Sequence, residues 1–100
     1  MRSASYKIPG GKLVRAKLLV VGGALVSPQL SGDFFLMPPE KLPLIERFLH
    51  GWKTDMVNGE EQLAHRLQKF VMHERIELAG VDAAAIAHVV YLAIASGESV

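Results

Sequence analysis

The stretch KLVRAKLLVVGGALVSPQL, residues 12–30, decides the fold class because two alternating runs flank a pair of glycines. Every second residue from Val14 to Val20 is apolar, whereas Arg15 and Lys17 point the other way. This alternation is typical of a strand with one buried face and one wetter face. Gly22-Gly23 can adopt positive φ at both positions, which favours a tight hairpin. The stretch therefore predicts a β-hairpin.

The second strand of this hairpin runs from Ala24 to Leu30. Strict alternation places Ala24, Val26 and Leu30 on one face and Leu25 on the opposite face. Pro28 has no N–H to donate to a neighbouring strand, so its position is predicted to be a sheet edge or a bulge.

Further extended segments flank the hairpin, and helices follow it. Tyr6 to Ile8 is expected to be extended before a turn at Pro9-Gly10-Gly11, and Phe34 to Leu36 is expected to be a short strand. Ile76 to Leu78 is expected to be a short extended segment. Three helices are predicted: from Pro38-Pro39 to about Leu49, from Glu60 to about Arg75, and from an Asp82 cap to Ala95. This order predicts a single α+β domain over residues 1–100, a small antiparallel β-sheet of about three strands with helices packed on one face.

Composition limits the function classes. The chain has 100 residues, eleven Lys and Arg against ten Asp and Glu, and no cysteine. The formal charge of +1 argues against nucleic acid as the main partner. Disulfides and thiolate metal sites are excluded. No apolar run approaches the ~20 residues of a membrane span, and a cytoplasmic location is expected.

The sequence contains no recognisable catalytic or metal-ligating set. His65 and His73 lie eight residues apart on one predicted helix, whereas a helical metal pair is spaced by four. The acidic residues fall mostly on predicted helix surfaces. We therefore predict no metal site and no catalytic residue, and expect the chain to be non-catalytic alone.

The turn between the first two strands is the first candidate site. Pro9-Gly10 favours a type II turn with Gly10 at the positive-φ position, and Gly11 permits close approach of another group. Lys7 and Lys12 add two positive charges, so the turn could receive a phosphate or a carboxylate. It is not a Walker A loop, since no Ser or Thr follows the lysine and a strand follows the turn. A plain turn with solvated lysines is the alternative.

The segment after the hairpin is the second candidate. Phe34 and Phe35 must point to opposite sides of a strand, so one fills the core and the other emerges on the wetter face. An exposed aromatic residue there suggests a protein interface, to which we also assign Arg15 and Asp33. The alternative is a glycine bulge, a turn aspartate and two core aromatics.

Together these segments resemble the accessory, or C-terminal, domain of lipoate–protein ligases. The matching residues are Lys7 to Arg15, Ser31 to Leu36, and Pro38/Pro39-Glu40 before a helix containing Ile45-Glu46. The similarity is clearest from Tyr6 to Gly51 and fades in the helical second half.

The resemblance implies the small subunit of a bipartite ligase, because the similar segment begins almost at Met1. Such a subunit forms a heterodimer with a catalytic subunit and enables ATP-dependent adenylation of lipoate to lipoyl-AMP. The lipoyl group then passes to a lysine of an acceptor domain, which completes protein lipoylation. ATP, Mg²⁺ and lipoate are expected in the complex, and no cofactor in this chain. Preference for lipoate or octanoate is expected to depend on the catalytic subunit.

Three interpretations remain open. In the first, Lys7, Gly10, Gly11 and Lys12 lie near the nucleotide of the catalytic subunit; in a variant of it, docking only orders a loop of that subunit. In the second, the chain is a protein-interaction module of the same fold that binds a different enzyme. An independent enzyme is the third.

Overall fold

The computed structural model describes residues 1–96 and confirms the α+β class. The last four residues of the predicted domain, 97–100, lie outside the described residues. The elements are β1 Arg2–Lys7, β2 Leu13–Val21, β3 Ala24–Gly32, β4 Phe35–Met37, α1 Leu42–Leu49, α2 Gly59–His73, β5 Glu77–Ala79 and α3 Ala83–Ala95.

The main sheet is an antiparallel meander in the order β1-β2-β3. Gly22 and Gly23 have φ of 59° and 76°, as the hairpin prediction requires. The first strand begins at Arg2 and not at Tyr6, because Arg2 already pairs with Leu18 of β2. A short polar segment without strong alternation is thus held as a strand by its partner.

The predicted orientation of the β3 side chains is wrong for part of the strand. Between Lys17 and Leu19 the register shifts, so that Ser27 and Pro28 together lie opposite one residue of β2. Ser27 adopts φ of 52°, which marks it as the extra residue of a bulge. Leu25 is therefore buried together with Leu30, whereas Val26 faces away from the core.

The outer edge of β3 is closed by α1 and the loop that follows it. The Leu30 N–H donates to Glu46 Oε2 at 2.8 Å, and the Ser27 N–H donates to His50 Nδ1 at 3.2 Å. Nearer the hairpin, the Leu25 N–H donates to the Trp52 carbonyl at 3.0 Å. These bonds satisfy edge groups that would otherwise be open to strand addition.

The first helix starts later than predicted. A short 3₁₀ turn, Pro39–Lys41, precedes α1, which begins at Leu42 and has Pro43 in its first turn, where a missing N–H costs nothing. The cap prediction for α3 is confirmed, since Asp82 Oδ1 accepts a hydrogen bond from the Ala85 N–H at 2.8 Å.

The short strands β4 and β5 pair with each other in a second, two-stranded antiparallel sheet and do not extend the main one. Helix α3 packs against β1 and β2, α1 packs against β3, and α2 packs chiefly on α3. Because α3 is covered by strands on one side and by α2 on the other, it is apolar almost all round.

The core lies between the main sheet and the helices. Its largest fully buried side chains are Leu18, Leu25, Ile45, Leu49, Leu63, Leu67 and Ile86. Among residues 1–96, no helix is both long enough and apolar enough to cross a bilayer.

Candidate functional site

The turn between β1 and β2 has the predicted geometry. The Gly11 N–H donates to the Ile8 carbonyl at 2.8 Å, which closes a four-residue turn, and Gly10 has φ of 71°. A positive φ at the third turn position defines a type II turn and explains the glycine there. Lys7 and Lys12 are both exposed at the base of this turn.

Three backbone donors of the turn already have acceptors. Besides the Gly11 bond, the Ile8 N–H donates to the Lys12 carbonyl at 3.1 Å, and the Lys12 N–H approaches the Gly80 carbonyl at 3.4 Å. The stem of Lys12 lies over Gly80, since a Cβ added there would come within 2.6 Å of Lys12 Cγ. Any anion bound at the turn would therefore be held mainly by the lysine ammonium groups and less by the backbone amides.

A hollow of about 290 Å³ lies beside the turn, between it and the start of α3. Gly80, Val81 and Asp82 form its far wall. Asp82 belongs to this wall, and its carboxylate would repel an anion inside the hollow. An anion is therefore favoured at the lysine side of the turn. Sequence patterns gave no signal for this wall, since it comes from a segment about 70 residues further along the chain.

Of the two adjacent phenylalanines, one is turned inward and one outward, as predicted. Phe34 packs partly against the core, and Leu36 of β4 is buried. Phe35 is 70% exposed and Met37, two residues further on the same side, is 56% exposed. The exposed Phe35 nevertheless lies on the small sheet β4-β5 and not on the face of the main sheet, because β4 pairs with β5.

The exposed Phe35 borders an apolar groove of about 370 Å³. The groove is lined by Leu30, Ser31, Gly32, Phe34, Phe35, Leu36, Met37, Pro39 and Leu42. Met37, Pro39 and Leu42 were not singled out from the sequence, although Phe35 and Met37 follow the alternation expected of a strand.

Arg15 and Asp33 border the same region. Arg15 is exposed on β2 and pairs with Ser31, which also lines the groove. Asp33 is exposed just after β3, and its N–H donates to the Leu13 carbonyl at 2.9 Å. The predicted interface residues Arg15 and Phe35 therefore flank one continuous stretch of surface that passes through Ser31.

Two of the four histidines, His50 and His88, make contacts within the fold. His88 Nδ1 lies 3.1 Å from Glu60 Oε2, and its ring packs edge-on against Tyr6 with centroids 4.6 Å apart. His50 accepts the Ser27 N–H, as described above. Over residues 1–96, no group of three or more metal-ligating side chains is positioned to hold a metal ion.

Comparison with known proteins gives one structural likeness. No protein-family model matches the chain, and no curated protein matches it either. Its fold is similar to that of a chain from the structural analysis of an archaeal lipoylation system, a bi-partite lipoate protein ligase and its E2 lipoyl domain from Thermoplasma acidophilum. The superposition has a TM-score of 0.65 at 19% identity and covers 87% of this chain and 94% of that chain. At this identity the likeness establishes a shared fold.

Proposed function

We propose that this chain is the accessory subunit of a bipartite lipoate–protein ligase. It docks on a catalytic subunit and enables that subunit to adenylate lipoate with ATP. The observation that carries the proposal is the fold likeness to a chain of an archaeal lipoylation system, which extends over nearly all of both chains. The lysines of the turn and Phe35, which belong to the segments on which the sequence resemblance rests, are exposed in the structure.

In the adenylation step, a lipoate carboxylate oxygen forms a bond to the α-phosphorus of ATP. The bond between that phosphorus and the bridging oxygen breaks, and pyrophosphate leaves. Negative charge accumulates on the phosphate oxygens, so positive groups placed beside them accelerate the reaction. In this proposal Lys7 and Lys12 supply such charge from the edge of the docked subunit, while ATP, Mg²⁺ and lipoate are held by the catalytic subunit.

Docking that only orders a loop of the catalytic subunit would give the same dependence without any contact to the nucleotide. The two roles differ in what the lysines do. A direct role requires the Lys12 ammonium group, whereas an ordering role requires only the shape of the surface.

Reconstitution tests the function itself. The chain is mixed with a candidate catalytic lipoate ligase subunit, and lipoyl-AMP formation is followed by ATP–pyrophosphate exchange. We expect exchange from the mixture and little from either chain alone. Exchange that is unchanged by this chain contradicts the proposal, as does turnover of lipoate and ATP by this chain alone. Co-purification with a different enzyme would instead support the interaction-module alternative.

Replacement of Lys12 by alanine separates the two roles. If Lys12 acts on the phosphates, Lys12→Ala binds the catalytic subunit normally and lowers the exchange rate by about 10-fold or more, because one positive group is lost. Lys12→Arg keeps the charge and should retain most of the rate. Lys53→Ala removes an exposed lysine from another loop and serves as the matched control. A normal rate for Lys12→Ala leaves only the ordering role.

A further inference from the structure

The main sheet has one face covered by helices and one face that no described element covers. On the uncovered face, alternate side chains of all three strands are exposed or half-buried. We call this the outer sheet face; its cations are Lys7, Arg15 and Lys17, its apolar residues toward the hairpin are Leu19, Val21 and Val26, and Ser31 lies on it in β3.

The charge of the chain is divided between its two halves. Residues 1–32, which contain the whole main sheet, include five Lys and Arg and no Asp or Glu. All ten acidic residues follow from Asp33 onward. The formal charge of +1 thus hides a basic first third of the chain, followed by a remainder in which ten Asp and Glu outnumber six Lys and Arg.

Three of the cations lie on the outer sheet face. Within residues 1–96, Lys7, Arg15 and Lys17 form no ion pair and no side-chain hydrogen bond. Their cross-strand neighbours are uncharged. Lys17 lies between Ser3 and Gln29, Arg15 lies between Ser5 and Ser31, and Lys7 lies opposite Leu13. Because no residue that the structure describes neutralises them, these cations are available to pair with groups on another molecule.

The same face becomes apolar toward the hairpin. Leu19 pairs with Val26, and Val21, at the end of β2, is 61% exposed. A surface with an apolar end beside unpaired cations matches the composition of protein interfaces, in which an apolar centre adjoins polar contacts.

We propose that the outer sheet face is the docking surface, and that its occupant is an acidic protein surface with an apolar patch beside it. Resting on the proposed function, this surface belongs to the catalytic ligase subunit. Docking through this face also brings the turn between Lys7 and Lys12, which lies at the edge of the face, against the catalytic subunit.

The chemistry of the face argues against other occupants. A second copy docked face to face would offer Arg15 and Lys17 no carboxylate, because the strands of the main sheet contain no Asp or Glu, and it would bring cations together at a cost in free energy. A nucleic acid would leave Leu19, Val21 and Val26 against charged phosphates, and three cations are few for that purpose.

The size of the face predicts how far the interface extends. Strands β2 and β3 have nine residues each and β1 has six, so the face is at most about 30 Å by 14 Å, or roughly 400 Å². A specific interface buries about 800 Å² on each partner. The remainder is supplied by the adjoining apolar groove, because Ser31 belongs to both surfaces, and Phe35 then becomes a second anchor.

Charge reversal tests the surface. Arg15→Glu/Lys17→Glu should weaken binding to the catalytic subunit about 100-fold, and Phe35→Ala about 10-fold, since buried charge pairs and aromatic anchors dominate affinity. Arg47→Glu/Lys69→Glu changes the net charge equally on the helical side, and we expect less than about a 3-fold change. Affinity is measured by titration calorimetry at low and at high salt, and folding is checked by circular dichroism. The unaltered chain should lose affinity with salt more steeply than the Arg15/Lys17 variant.

Each outcome is distinguishable. If the unaltered chain does not bind the catalytic subunit, the proposed function and this occupant both fail. If it binds and the Arg15/Lys17 variant binds equally well, or if the control weakens binding as much, only the docking surface is overturned. Self-association abolished by Arg15→Glu/Lys17→Glu, or binding of a single-stranded oligonucleotide at physiological salt, would assign the face to another occupant. Should the double reversal fail to fold, Arg15→Gln/Lys17→Gln provides the same comparison with smaller effects.

Discussion

The two faces of the main sheet are built from the same strands, but the inner face packs against helices and the outer face points away from them. Leu18 of β2 points toward α3 and is 0% exposed, whereas Leu19 points away and is 36% exposed. On the inner face each side chain contacts others, while on the outer face the cations have no partner within residues 1–96.

This difference separates what folding requires from what binding requires. Burial of apolar side chains stabilises the fold, so the identities on the inner face follow from packing. The outer face is not required to pack, so the residues there are chosen for their contact with solvent or with a partner. Unpaired cations beside exposed leucine and valine are better explained by a partner than by stability.

The largest effect expected from this comparison comes from neighbouring leucines. Leu18→Ala removes a fully buried side chain and should lower the free energy of unfolding by about 2–5 kcal/mol, because it leaves a cavity. Leu19→Ala, one residue away, should change it by less than about 1 kcal/mol. Urea denaturation followed by circular dichroism measures both. Similar losses for the two variants would show that the outer face is packed in solution.

Local sequence patterns predicted the hairpin, the type II turn and the three helices, because these depend on residues close together in the chain. They did not predict the facing of Val26 and Leu25. The bulge at Ser27 places a serine at positive φ, a conformation that its residue type does not signal. Its N–H is satisfied by His50, which lies 23 residues further along.

The candidate sites, like the fold, were predictable only where they depend on residues close together in the chain. The glycine turn and the inward and outward phenylalanines followed from local rules. The wall that Gly80 and Asp82 build beside the turn did not, and neither did the pairing of β4 with β5. Both contacts join segments about 40 to 70 residues apart, and a single sequence carries no pattern for such contacts.

An effect of intermediate size on the free energy of unfolding is expected at the edge of β3. Like the packing of the inner face, the hydrogen bonds at this edge contribute to folding. Glu46→Ala removes the acceptor of the Leu30 N–H and should lower the free energy of unfolding by about 1–2 kcal/mol. Glu46→Gln keeps an acceptor oxygen and should lose less. Thermal denaturation of both variants and of Glu40→Ala, an exposed control, measures the difference. Equal stability of the alanine and glutamine variants would argue that this bond does not hold the edge.

The smallest change in the free energy of unfolding is expected for the cations of the outer face, and whether it is a gain or a loss is informative. Arg15 and Lys17 lie two residues apart on one face, roughly 7 Å from each other, so they repel. Arg15→Gln/Lys17→Gln should leave the free energy of unfolding unchanged or raise it by up to about 0.5 kcal/mol. The gain should vanish in 1 M salt, where the Debye length is about 3 Å.

Arg47→Gln/Lys69→Gln is the matched control for this last variant, since it removes one Arg and one Lys from the helical side. Free energies of unfolding are compared at low and at high salt. Unchanged or increased stability of the Arg15/Lys17 variant means that the chain keeps two cations which do not help it fold, as the docking proposal requires. A loss above about 1 kcal/mol would instead make them part of the fold. In that case the outer face would need no partner to explain its charge.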